Sequence, residues 1–317
     1  MFKERRLSCA CLFFLVAAVL PSRAQVQNEV SGLASDRDQF QLEMVPRDGF
    51  NLYYRSLGCG EPVLIVSGGP GDDCDYLLPV ASQIAKYAHV ILLEQRGTGR
   101  SIPPRVDKTT INLALYLEDY EALRTYLKVE QWTVVGHSAG GLLAMNYAAA
   151  HPERVKKLVL LDTVPVSSRL LSAFQDNLLS RLSMNERDRF SSAQKSSSPE
   201  DQKTMTELQL EGLFYNRRVG EQLAGELSNA WHGNVGRLLG TKITAPGYDL
   251  GPRLKAFDNP VLVLNGRQDP MDPLMAYETS VAFKHSTLKY IDRAGHFPWF
   301  EQPKEFDQMI RDFLAPK

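Results

Sequence analysis

Val134-Val135-Gly136-His137-Ser138-Ala139-Gly140-Gly141 decides how this chain is read. The stretch has the form G-x-S-x-G, follows an apolar run at 132–135 and leads into small residues that read as a helix at 141–150. A serine set between strand and helix must hold a strained backbone. Side chains at 136 and 140 would collide with the neighbouring strand and helix, so both positions require glycine. The bend lifts the Ser138 hydroxyl to the carboxyl end of the sheet, where open α/β folds bind ligands. The helix that follows brings the positive end of its dipole, and the Ala139 amide faces the place where an oxyanion would form.

Outward from this stretch, short runs rich in Val, Ile and Leu recur at 63–66, 90–93, 158–161 and 261–264, with a weaker one at 288–291. Such runs suit strands buried on both faces of a parallel sheet. Helix-patterned stretches lie between or after them at 76–87, 113–127, 273–283 and 306–314. Residues 41–47 and 51–57 alternate as strands around the turn Asp48-Gly49. The pattern predicts a doubly wound, mostly parallel α/β sheet with its core at 40–168 and 259–317. Between 169 and 258 no strand pattern stands out, while Leu171, Phe174, Leu178 and Leu182 fall at helical spacing. That interval is too long for a simple connection and predicts an inserted helical cap. Within it, the polar, serine-rich residues 191–203 read as a loop between helices.

Composition removes several function classes. The 317 residues are 44% hydrophobic and 23% charged, as in ordinary globular proteins. Thirty-six Lys and Arg against 37 Asp and Glu leave no basic excess for a nucleic-acid partner. Lys3, Arg5 and Arg6 precede an uncharged run, and Ser22-Arg23-Ala24 supplies a cleavage site, so residues 1–24 read as a signal peptide. The apolar run is too short for a stable membrane span. Export to the periplasm or medium is expected, with 25–39 as a polar linker and a mature net charge of −4. Cys59 and Cys74 flank a strand-like run, which holds them too far apart for a disulfide. No H-E-x-x-H or cysteine-rich cluster appears, so neither a metal nor another cofactor is implied.

Two later segments supply partners for Ser138. Asp269, in Gly266-Arg267-Gln268-Asp269-Pro270, follows the run at 261–264, and His296, in Ala294-Gly295-His296-Phe297-Pro298, follows the run at 288–291. Nucleophile, acid and base in this order, each just past a strand, have the arrangement of a Ser-His-Asp triad. Asp162, just past 158–161, and Asp272 are alternative acids. His137 neighbours the serine and is expected to pack rather than react.

These motifs resemble the α/β-hydrolase superfamily over nearly all of the mature chain. Ser67-Gly68-Gly69-Pro70-Gly71 and Glu94-Gln95-Arg96-Gly97-Thr98-Gly99-Arg100-Ser101 narrow the resemblance to the proline iminopeptidases, whose motifs read H-G-G-P-G and D-Q-R-G-x-G-x-S. The resemblance assigns the second oxyanion donor to the amide of Gly69, beside that of Ala139. For Arg96 a structural role is expected. Ser67, Glu94 and Ala139 depart from the family pattern. The resemblance would also use carboxylates of the cap on a substrate amine, and the cap carries Glu207, Glu211, Glu221 and Glu226.

The expected function is an exported serine aminopeptidase of proline iminopeptidase type, acting on small peptides through Ser138, His296 and Asp269. A carboxylesterase acting on a small ester is the alternative. A ligand-binding protein on a hydrolase scaffold is a third reading.

Overall fold

The structure is a computed structural model that describes residues 36–315 except 197 and 229–231. The predicted signal peptide and residues 25–35 of the predicted linker lie outside the described residues. Among the described residues, no helix is long and apolar enough to cross a membrane.

The strands are β1 (Gln41–Arg47), β2 (Phe50–Leu57), β3 (Pro62–Val66), β4 (His89–Leu93), β5 (Trp132–His137), β6 (Val155–Leu161), β7 (Val261–Gly266) and β8 (Ser286–Ile291). They form one sheet in the order β1-β2-β4-β3-β5-β6-β7-β8. The β1–β2 and β2–β4 pairs are antiparallel and the rest parallel. Asp48-Gly49 closes the hairpin, with Arg47 paired to Phe50 and Gly49 at φ 79°. The doubly wound α/β sheet expected from the strand pattern is present.

The helices between β3 and β6 are α1 (Leu78–Ile84), α2 (Leu113–Tyr126) and α3 (Ala139–Ala150). Between β6 and β7 the described chain is helical, with α4 (Ser172–Ser180), α5 (Met184–Gln194), α6 (Pro199–Leu213), α7 (Arg217–Ser228), α8 (Gly233–Ile243) and the short α9 (Gly251–Leu254). α10 (Pro273–Val281), α11 (Pro298–Glu301) and α12 (Pro303–Leu314) follow β7 and β8.

Alternation along the strands explains why both sheet faces need cover. Leu64, Val66, Val134, Leu158 and Leu160 enter one apolar cluster with α2 and α3. Val63, Ile65, Val135, Val159 and Leu161 enter the opposite cluster with α1 and α12. All six residues of β5 and of β7 are buried, as central strands of a two-faced sheet must be.

The expected loop at 191–203 is largely helical. α5 runs to Gln194 and α6 begins at Pro199, which leaves a short break. The Ser198 hydroxyl caps α6 by accepting from the Asp201 N–H at 3.1 Å, with Pro199, Glu200 and Asp201 in the first turn. Serine content reads as loop, but Ser-Pro followed by acids is also a helix start. Phe190 of α5 and Leu208 of α6 meet with Leu182 in a small apolar cluster that holds both helices.

Candidate active site

Ser138 occupies the junction of β5 and α3 at φ 53°, ψ −123°, a conformation unfavourable for a residue with a Cβ. The glycines around it are demanded by close approach. A Cβ on Gly136 would lie 2.4 Å from the Gly140 carbonyl oxygen, and one on Gly140 would lie 2.4 Å from the carbonyl oxygens of Val66 and Ser67. The bend therefore presses the start of α3 onto the end of β3. This brings Ser138 and Gly69 to one cavity of about 220 Å³. Neither the Ala139 nor the Gly69 amide is hydrogen-bonded within the protein among the described residues. Ala139 heads α3, where first-turn amides have no intrahelical acceptor.

His296 lines the same cavity. Its Nδ1 lies 2.8 Å from Asp269 Oδ2, and both side chains are buried. Asp269 Oδ1 accepts the Met271 N–H at 2.9 Å, which fixes the carboxylate plane. The alternative acids take other positions. Asp272 caps α10, accepting from the Leu274 and Met275 amides at 2.9 and 3.2 Å. Asp162 is fully buried, accepts the Gly266 N–H at 2.7 Å through Oδ1, and leaves Oδ2 without a partner. Burial and the adjacent charge of Asp269 push the Asp162 carboxyl well above the ordinary carboxylate range.

Asp162, Asp269 and His296 bring donor atoms within 4.8 Å of one another. The hydrogen bond between His296 Nδ1 and Asp269 Oδ2 already uses two atoms that a cation would require. The arrangement suits an oriented imidazole better than a metal.

The loop that carries His296 is tied to the helical segment. The His296 N–H donates to the Leu213 carbonyl at 2.8 Å. The Glu301 carboxylate accepts the amides of Gly295 and Asn216, each at 2.6 Å, and that of Tyr215 at 3.3 Å. Burial raises the pKa of Glu301, while these three donors oppose the rise. Glu301 thus joins the His296 loop to the chain between α6 and α7. Sequence reasoning missed it because nothing in its local pattern marks an amide acceptor.

Arg96 has the structural role expected of it. Its guanidinium makes two bonds to Asp119, at 2.8 and 2.7 Å, and lies over the Phe50 ring. Glu94 accepts the Arg100 N–H at 2.6 Å and pairs with Arg55 and Arg100. Gln95 donates to the Ser67 carbonyl at 2.8 Å and so ties the two glycine-rich loops together. Cys59 is exposed, Cys74 is buried, and both are free.

Glu207, Glu211 and Glu221 are not among the described residues that line the cavity. Glu207 pairs with Lys203, and Glu211 and Glu221 with Arg217, while the side chain of Glu226 lies outside the described ones. Among the described residues the cavity is walled by apolar side chains, including Phe174, Met205, Leu210, Leu213 and Phe297, and Asp72 is the one acidic residue that lines it.

Residues 61–303 match the family described as the alpha/beta hydrolase fold. The chain belongs to that family. A proline iminopeptidase of Heyndrickxia coagulans is 26% identical over 266 residues, which covers 81% of this chain and 91% of that one. Among solved structures, VinJ superposes with a TM-score of 0.72 at 21% identity, over 86% of this chain and 98% of that one. The proline iminopeptidase of Mycobacterium smegmatis superposes at 0.69 and 21% identity, over 86% and 97%. This hydrolase thus resembles the proline iminopeptidases in sequence and shares their fold.

Proposed function

We propose that this hydrolase is a serine aminopeptidase of proline iminopeptidase type, exported by cleavage after residue 24. The observation that carries the reading is a strained serine sharing one cavity with a histidine whose far nitrogen is hydrogen-bonded to a buried aspartate.

In this mechanism His296 accepts the Ser138 proton as Oγ attacks the carbonyl carbon of the first peptide bond. Asp269 orients the ring and stabilises its cation. The tetrahedral oxygen is held by the free amides of Gly69 and Ala139. The imidazolium then protonates the departing amine, and an acyl group remains on Ser138. Water, deprotonated by His296, releases it.

A carboxylesterase is the second reading, supported by the apolar lining of the cavity, which suits a neutral acyl chain as well as a pyrrolidine ring. One experiment separates them. Release of p-nitroaniline from proline p-nitroanilide is compared with release of p-nitrophenol from a short-chain ester, using the wild type and Ser138→Ala. Serine-dependent turnover of the anilide, lost when its amine is acetylated, is the expected result. Turnover of the ester alone would favour the esterase. Labelling of Ser138 by a fluorophosphonate separates both from a binding protein without turnover. Export is checked by sequencing the amino terminus of the secreted protein, expected to begin at Gln25.

A further inference from the structure

Among the described residues that line the cavity, Asp72 alone carries a carboxylate. That carboxylate has no hydrogen-bond or ion-pair partner among the described residues. It is also held in place. The Ser67 hydroxyl donates to the Asp72 carbonyl at 3.2 Å, and the Gly71 carbonyl accepts the His232 N–H at 2.8 Å. A Cβ on Gly71 would lie 2.8 and 2.9 Å from the His232 oxygen and the Gly236 nitrogen, so α8 closes the loop from outside. The loop backbone beside Asp72 cannot shift outward without displacing that helix.

Its neighbour is Gly69. The Asp72 Cγ lies 3.1 Å from the position a Cβ would take on Gly69, beside the amide assigned to the oxyanion. A negative charge there opposes the charge that develops on the reacting oxygen, and in a poorly solvated cavity the opposition is weakly screened. A cationic nitrogen in the acyl group, one carbon from the carbonyl, would neutralise the carboxylate as the oxyanion forms. A neutral acyl group brings no such compensation.

We propose that Asp72 sets the acyl selectivity of this hydrolase, admitting acyl groups with a cationic nitrogen beside the carbonyl and opposing neutral ones. The proposal rests on the assignment of Ser138 as nucleophile. It takes charge recognition away from Glu207, Glu211 and Glu221 of the helical segment, which face cations of their own, and gives it to the glycine-rich loop after β3.

The selectivity depends on pH. Burial and the nearby charge of Asp73 push the Asp72 carboxyl up to about 7, and His296 opposes the rise. Among the groups around it, Asp73 is pushed up to about 6 by burial and the charge of Asp75, so its own charge grows as pH rises through the lower part of this range. Tyr76 is held far above its ordinary value by burial, His137 far below, and His232 at the start of α8 is lowered by burial. Below about pH 7 Asp72 takes up a proton and a neutral acyl group is tolerated; above it the same group is opposed.

The test uses the full mature chain and Asp72→Asn. The rate at which a neutral fluorophosphonate labels Ser138 is measured across pH for both. The ratio of the variant rate to the wild-type rate is expected to rise about tenfold between about pH 6 and about pH 8. A ratio that does not change with pH overturns the proposal. Labelling that persists in Ser138→Ala overturns the nucleophile assignment instead, so the two failures are distinct. A second arm compares prolyl p-nitroanilide with its carbocyclic isostere, cyclopentanecarboxyl p-nitroanilide. Wild type is expected to prefer the prolyl compound, with Asp72→Asn reducing that preference in kcat/KM by about tenfold or more. An unchanged preference counts against the proposal, and the labelling arm decides if neither anilide is turned over. Asp72→Ser is read the same way should the asparagine variant fail to fold.

Discussion

The ring of His137 donates its Nε2–H to the main-chain carbonyl of His296 at 3.0 Å. A carbonyl can only accept, so the tautomer is settled and Nδ1 must accept from the Tyr76 hydroxyl at 2.8 Å. The Tyr76 oxygen in turn accepts the Gly68 N–H at 2.6 Å. Burial and the neighbouring His296 keep the His137 pKa well below its ordinary value, so the ring stays neutral. The loops after β3 and β8 are thereby bonded through the residue that precedes Ser138. His137→Leu fills similar space but leaves these partners unsatisfied. It is expected to cost about 2 kcal/mol in urea unfolding and to lower kcat about 10-fold or more, with KM little changed.

The positive φ of Ser138 is strain stored at the candidate nucleophile. Ser138→Ala removes the hydroxyl but keeps the strain, whereas Ser138→Gly removes both. Both variants are expected to be inactive, with the glycine variant about 1 kcal/mol more stable than the alanine variant. Thermal unfolding of the pair checks this, and equal midpoints would show that the bend costs nothing.

Asp162 and Asp269 share a buried space, and burial with the charge of Asp269 pushes the Asp162 carboxyl up. Asp162→Asn keeps the shape and an oxygen that accepts the Gly266 N–H, so activity within about threefold of wild type is expected, while Asp162→Ala loses about 10-fold in kcat. Asp269→Asn takes away the charge behind the imidazole and is expected to lose about 10⁴-fold in kcat. Steady-state kinetics on the three variants checks the assignment of roles.

Asp119 is buried and faces two guanidiniums, those of Arg47 at 2.8 Å and Arg96 at 2.7 Å. Asp119→Ala leaves Arg96 buried without its anion. The expected loss is about 3–5 kcal/mol, and Arg96→Met in the same background should recover part of it. Urea unfolding of the single and double variants measures the coupling.

The carboxyl of Asp72 binds its proton more tightly in the folded state, at about 7 against an ordinary 3.8. The stabilisation is fully present below about pH 4 and is lost as pH rises through 7. Above that pH the ionised group opposes folding by up to about 4 kcal/mol. Asp72→Asn is therefore expected to stabilise the protein at about pH 8 and to have little effect at about pH 4, as read by denaturant midpoints.

The elements legible in the sequence were those whose signal is local. Strand runs such as 132–135 and 261–264 show their burial through composition, and Asp48-Gly49 marks its own turn. Gly136 and Gly140 bracket Ser138 because that bend has no room for side chains. Helix limits were less sharp. The helix expected at 76–87 begins as a 3₁₀ turn at Asp75–Leu77 and ends at Ile84. The serine-rich stretch at 191–203 hid the cap at Ser198, because serine serves loops and helix starts alike.

By itself, the sequence determined the doubly wound sheet, the placement of Ser138 between β5 and α3, and the order of Ser138, Asp269 and His296 past their strands. Each follows from periodicity or from sterics within a few neighbouring residues. Only the tertiary structure decided which carboxylate meets His296, that His137 bonds two loops, that Glu301 joins the His296 loop to the helical segment, and that Asp72 lines the cavity. Those relations depend on distances between segments far apart in the chain. Such distances are set by how helices and loops close over the sheet, and no local pattern of residue types encodes them.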